Sequence, residues 1–156
     1  MRQRGFTLIE LLVTVTIVSL LATMAMPVAE LTVRRAKEQE LRAALREIRG
    51  ALDAYKRASD EGRIARSAIS SGFPPTLEVL AEGAEDARSA DKRRIHFLRR
   101  VPRDPFAIDA ELPAARTWGL RSYDSPPDEP REGRDVFDVH SLAAGNGLNG
   151  RPYREW

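Results

Sequence analysis

From Phe6 to Ala29 the chain is apolar, with Thr and Ser scattered through it and a single ionisable residue, Glu10. A run of about 24 residues is long enough to cross a hydrocarbon core about 30 Å thick as one helix. The stretch from Leu11 to Leu21 is apolar nearly all round. Its hydroxyls are expected to bond back to the helix backbone, which lets lipid tolerate them. Two other structures compete for such a run. A secretory signal peptide has a shorter apolar region, about 7–15 residues, ending at a small-x-small site; Thr23-Met24-Ala25 is a poor version of that site. A buried core helix does not run so far without charge, and none falls between Glu10 and Glu30. The pattern therefore predicts a membrane span.

Glu10 is the anomaly within it. A carboxylate inside a span costs about 2.5–3.5 kcal/mol at the centre and less near an end, so it demands a partner. No Lys, Arg or His lies inside the run, and Arg2 and Arg4 stand on the far side of Gly5. Either Glu10 reaches the headgroups, or a cation arises beside it after processing. Arg2 and Arg4 favour a cytoplasmic N-terminus, but Arg34, Arg35 and Lys37 lie close beyond the span. Charge alone therefore does not set the orientation.

Helical periodicity continues past the apolar run. Leu41, Leu45, Ile48, Leu52 and Tyr55 recur at alternating steps of four and three, a stripe that should pack on a core. Lys37, Glu38, Arg42, Arg46 and Arg49 are placed on the other faces. Pro27 removes a backbone donor and crowds the preceding turn, which predicts a kink or local melting there. The organisation is then a short basic segment over 1–5, a spanning helix half over 6–29, an amphipathic half over 30–60 and a small head over 61–156. In the head, Gly72-Phe73-Pro74-Pro75 reads as a turn, with Thr76 capping a short helix over Leu77-Glu78-Val79-Leu80. Ala84 to Arg94 reads as loop or a helical turn. Trp118–Tyr123 and Val136–His140 read as strands. The fold class is α+β: a long N-terminal helix packed on a small antiparallel sheet.

Several functions are excluded on composition. The net charge is only +2 and the charges are interleaved, which argues against nucleic acid; Lys92-Arg93-Arg94 is a solvated face. With no Cys there is no disulfide framework, thiolate zinc site or cysteine nucleophile. Asp138, His140 and Ser141 suggest a triad, but near-consecutive strand residues point to opposite faces. Gly145-x-Gly147-x-x-Gly150 has no helix or acidic ribose partner to follow it, so it is no dinucleotide loop. No enzyme activity and no cofactor are expected.

Gly5-Phe6-Thr7-Leu8-Ile9-Glu10-Leu11-Leu12-Val13 resembles the leader junction of type IV pilins and type II secretion pseudopilins. The resemblance implies that residues 1–5 are a prepilin leader, and that a prepilin peptidase cuts between Gly5 and Phe6 and methylates the new amine of Phe6. It also implies that Glu10 pairs with the N-terminus of a neighbouring subunit, and that Pro27 matches a proline where the helix unwinds in filaments. The head is similar to that of the major pseudopilins at Phe73-Pro74-Pro75-Thr76-Leu77, Val101-Pro102-Arg103-Asp104-Pro105 and Asp135-Val136-Phe137-Asp138-Val139-His140-Ser141-Leu142. The implied fold is pilin-like, and the implied product a helical homopolymer below an outer-membrane pore. Implied partners are minor pseudopilins, prepilin peptidase and an inner-membrane assembly platform. The implied location is single-pass in the inner membrane, N-terminus cytoplasmic before processing and head periplasmic. A pilin or minor pilin for adhesion, motility or DNA uptake is the alternative in the family; a signal-anchored periplasmic binding module is the alternative outside it. The departure is at the C-terminal loop. Major pseudopilins usually carry acidic residues there that hold calcium, whereas Ala144–Gly150 has no carboxylate until Glu155. Calcium in that loop is set against pinning of the tail by Tyr153 and Trp156.

Overall fold

A computed structural model describes residues 7–67 and 69–156, in two compact units, Met1–Lys37 and Glu38–Trp156. Helix α1 is one element, Leu8–Asp60. It is built from Leu, Ala, Glu and Arg with few β-branched residues after Val33, a composition that favours helix. In the first unit its apolar side chains are uncovered: Leu8 is 80% and Leu20 63% exposed. Thr14, Thr16 and Thr23 donate their hydroxyls to Leu11, Leu12 and Leu20 carbonyls at 2.9, 2.7 and 2.7 Å, the back-bonding expected of them. Among the described residues no helix is long and apolar enough to cross a membrane. The side chains of residues 24–28 fall outside the described set, so the first apolar stretch described with its side chains stops at Thr23. Pro27, where a kink is expected, lies within the helical span of α1, and only its side chain is outside the described set.

In the second unit the α1 stripe is the core. Leu41, Leu45, Ile48, Leu52 and Tyr55 are all buried, joined by Leu77, Leu80, Trp118, Val136, Val139 and Tyr153. Burying each aliphatic side chain contributes about 1.5–3 kcal/mol, so this face supplies most of the force that folds the head onto the helix. The head adds a short helix, α2 (Glu78–Glu82), and two two-stranded antiparallel sheets. Strand β1 (Ala84–Glu85) pairs with β2 (Arg94–Ile95), and β3 (Trp118–Arg121) pairs with β4 (Asp138–Ser141). The β3–β4 register sets Gly119 opposite His140 and Leu120 opposite Val139.

Three expectations need correction. The α2 cap is Leu77, with no side-chain cap bond, not Thr76. Leu77 is 1% exposed, and its burial decides where the chain turns. The segment from Ala84 to Arg94 is not a helical turn but a loop closed at its two ends into a small hairpin by β1 and β2. Its alternation is too short to show as a pattern; Asp86 organises the turn, receiving the Arg88 N–H at 3.0 Å and pairing with Arg63 at 2.8 Å. Glu38 is not on a solvated face but 4% exposed. It lies three residues before Leu41, in register with the stripe itself.

The two strands read from the sequence are shorter than expected at one end each. Tyr123 N–H turns aside to the Asp135 carboxylate at 2.9 Å, and Val136 N–H bonds Pro74 O at 2.8 Å, so neither joins the ladder. Because Leu52 is 1% exposed at the centre of the stripe, Leu52→Ala is expected to destabilise the head by about 2–5 kcal/mol. Urea unfolding followed by tryptophan fluorescence measures it, and a loss under about 1 kcal/mol would show that the site collapses around the deletion.

Candidate functional site

The start of α1 is a reciprocal cap. Thr7 Oγ1 accepts the Glu10 N–H at 3.3 Å, while Glu10 Oε2 accepts the Thr7 N–H at 3.1 Å and its hydroxyl at 3.0 Å. This is the Thr-x-x-Glu capping box, which satisfies two helix-end donors at once. The spacing Thr7-Leu8-Ile9-Glu10 carries that signal in the sequence, where the carboxylate also stands out as the one charge in an apolar run. The bonds satisfy part of the carboxylate's hydrogen-bonding capacity but bring no positive charge to it. Gly5 and Phe6 lie outside the described residues.

The other organised region joins the helix to the C-terminal loop. Glu38 Oε1 accepts the Leu148 N–H at 2.8 Å and the Tyr153 hydroxyl at 3.0 Å. Tyr153 is 3% exposed and packs between Phe106, tilted with ring centroids 4.5 Å apart, and the edge-on Trp156 at 5.2 Å. Arg49 donates to Asp138 Oδ1 at 2.8 Å, to Val139 O at 3.1 Å and to Trp156 O at 2.7 Å, linking α1, β4 and the tail. Arg42 lies over the Trp156 ring at 4.4 Å, a cation–π contact. A Cβ on Gly147 would stand 2.1 Å from the Trp156 indole, so only glycine fits beneath it. The pinning by Tyr153 and Trp156 is therefore polar as well as apolar.

Strand β4 carries the three triad residues, and its pleat sets Ser141 on the face opposite Asp138 and His140. Ser141 donates its hydroxyl to the buried Asp104 at 2.6 Å. Asp138 is held by Arg49. His140 lies over Gly119, where an added Cβ would be 2.2 Å from Nε2. Burial holds the His140 pKa below its ordinary value; Arg49 adds to this and Asp138 opposes it. Burial also works to raise the Asp135 pKa, but bonds from Ser71, the Tyr123 N–H and Ser122, with the Arg134 charge, outweigh it and leave the pKa lowered. Among the described residues no three His, Cys, Asp or Glu side chains gather as a metal site.

The prokaryotic N-terminal methylation motif family matches residues 1–26. The chain is similar to type II secretion system core protein G of Klebsiella pneumoniae, 32% identical over 116 residues, covering 71% of this chain and 74% of that protein. The protein of the same name from Dickeya chrysanthemi is 27% identical over 158 residues, covering 96% and 95%. That of Escherichia coli K12 is 29% identical over 112 residues, covering 71% and 72%. No solved structure matches the chain.

Two predictions follow from β3–β4. Gly119→Ala must displace the His140 ring, and overpacking of this kind is expected to cost about 1–3 kcal/mol in the urea midpoint. The lowered His140 pKa means that the unfolded chain binds the extra proton first. Its contribution to stability is full above the unfolded value of about 6.5 and is lost as pH falls from there toward the folded value. His140→Gln should flatten the stability profile just below about pH 6.5. Asp135, also lowered, should leave a second decline in the acid carboxylate range, and a variant profile that keeps the first decline would remove His140 as its source.

Proposed function

The chain belongs to the type II secretion system core protein G family, and from that premise we propose that it is a structural pseudopilin polymerising into the periplasmic pseudopilus of a type II secretion apparatus. The carrying observation is the methylation-motif match over residues 1–26, which falls on the apolar helix with its single carboxylate. On this reading α1 crosses the inner membrane once through its 6–29 half. The N-terminus is cytoplasmic before processing and the head is periplasmic. The role is mechanical rather than enzymatic, and the partners are further copies of the chain, minor pseudopilins, the prepilin peptidase and the inner-membrane assembly platform.

Cleavage between Gly5 and Phe6, with methylation of Phe6, leaves an amine four residues before Glu10, about one helical turn away. Within one chain the Glu10 carboxylate is already turned to Thr7. An axially shifted neighbour brings its own amine to Glu10 and supplies the charge that the capping bonds do not. Other registers strand a charge in lipid, so the pairing selects the stagger between subunits. Helix weakening at Pro27 lets the segment adjust in the filament.

Two measurements test this. Intact mass spectrometry of protein from native membranes should show loss of Met1 to Gly5 and one added methyl group; a full-length N-terminus, or cleavage near Ala25, contradicts the assignment. Glu10→Gln keeps a side chain able to complete the cap but removes the charge. Co-expressed with wild type, it should be inserted and cleaved normally yet enter filaments poorly. Equal incorporation would reduce Glu10 to a capping residue.

A further inference from the structure

We infer that the C-terminal loop of this chain is held by its own side chains and takes no calcium ion. The resemblance to major pseudopilins implies calcium in this loop, so the donors present decide whether the ion fits. Calcium takes six to eight oxygens, usually with carboxylates among them. Residues 144–150 carry none. Two of the loop carbonyls are committed: Gly145 O accepts the Tyr153 N–H at 3.2 Å and Gly147 O accepts the Gly150 N–H at 2.9 Å. Asn149 Oδ1 accepts the Arg151 N–H at 3.1 Å.

The local charge is also wrong for a cation. Arg42, Arg46, Arg49 and Arg151 line one recess of about 360 Å³ beside Asn149 and Trp156, with Glu155 the one acidic side chain in its wall. These guanidinium groups, of which Arg49 is paired with Asp138, disfavour a divalent cation in the recess.

What calcium would do, the helix does instead. An ion would gather carbonyl and carboxylate oxygens around a positive centre. Here the arrangement is inverted: the buried Glu38 is a negative centre that gathers donors, the Leu148 N–H from the loop and the Tyr153 hydroxyl from the tail. Arg49 fixes the far end through Trp156 O, and the Trp156 indole closes over Gly147. The lock is thus made when the head folds on α1, and it needs no ion from the periplasm.

The test uses the full-length chain in detergent, with calcium chloride or with a chelator. Thermal midpoints should coincide in the two media, and trypsin cleavage after Arg154 should be equally slow. Glu38→Ala removes the centre of the lock and should expose the Arg154-Glu155 bond to trypsin in both media. Because that variant also empties a buried position, Tyr153→Phe, which removes only the hydroxyl, is the companion. Loss of one hydrogen bond should speed cleavage about fivefold, unchanged by calcium. A calcium-dependent rise in the wild-type midpoint, or calcium restoring slow cleavage to either variant, overturns the inference. So does wild-type cleavage of both variants. None of these outcomes bears on membership of the family or on filament assembly.

Discussion

The packing of one helix face organises the head. Leu41, Leu45, Ile48, Leu52 and Tyr55 form a continuous apolar strip on α1, and the head residues Leu77, Leu80, Trp118, Val136 and Val139 converge on it. The head has only short strands and a five-residue second helix, so regular structure of its own contributes little cooperative stability. Detached from the strip, these pieces would have no common apolar surface to cover. Glu38, in register with the strip, extends the same docking face into polar contacts and places the tail.

Where ladders are scarce, carboxylates satisfy the main chain. Asp104, 2% exposed, accepts the Phe106 N–H at 2.8 Å and the Ser141 hydroxyl. Asp135 gathers Ser71, Ser122 and the Tyr123 N–H. Asp86 and Glu38 do the same for the β1–β2 turn and the C-terminal loop. Buried N–H groups must find acceptors, and a charged oxygen makes the stronger bond. Each such carboxylate therefore anchors one irregular segment, which explains how a head so poor in sheet keeps a defined shape. The same device at Thr7 and Glu10 starts α1.

The first unit is governed by the opposite condition. Its apolar side chains from Leu8 to Leu21 are uncovered, and such a surface requires lipid or other copies of the same helix. On the proposed reading, lipid and neighbouring copies of the helix cover it together. A cap satisfied within the chain and a charge satisfied only between chains give Glu10 two separable roles on that reading.

Length and periodicity alone determined the long helix, the identity of its buried stripe and the two main strands, because each is a local pattern with a physical period. The N-terminal methylation motif was equally legible, since it is a contiguous string. The β1–β2 hairpin was not: two-residue strands have no period, and their turn is held by Asp86 and by Arg63, which is distant in sequence. The burial of Glu38 followed the stripe spacing, yet its charge argued for solvent. Only the tertiary structure supplied the Leu148 and Tyr153 donors, more than a hundred residues away, that make burial tolerable. His140 likewise became a packing residue only when β3 set Gly119 opposite it. Local patterns specify elements because their forces act over one or two turns. Which polar residues are buried depends on partners that only the folded chain brings within hydrogen-bond reach.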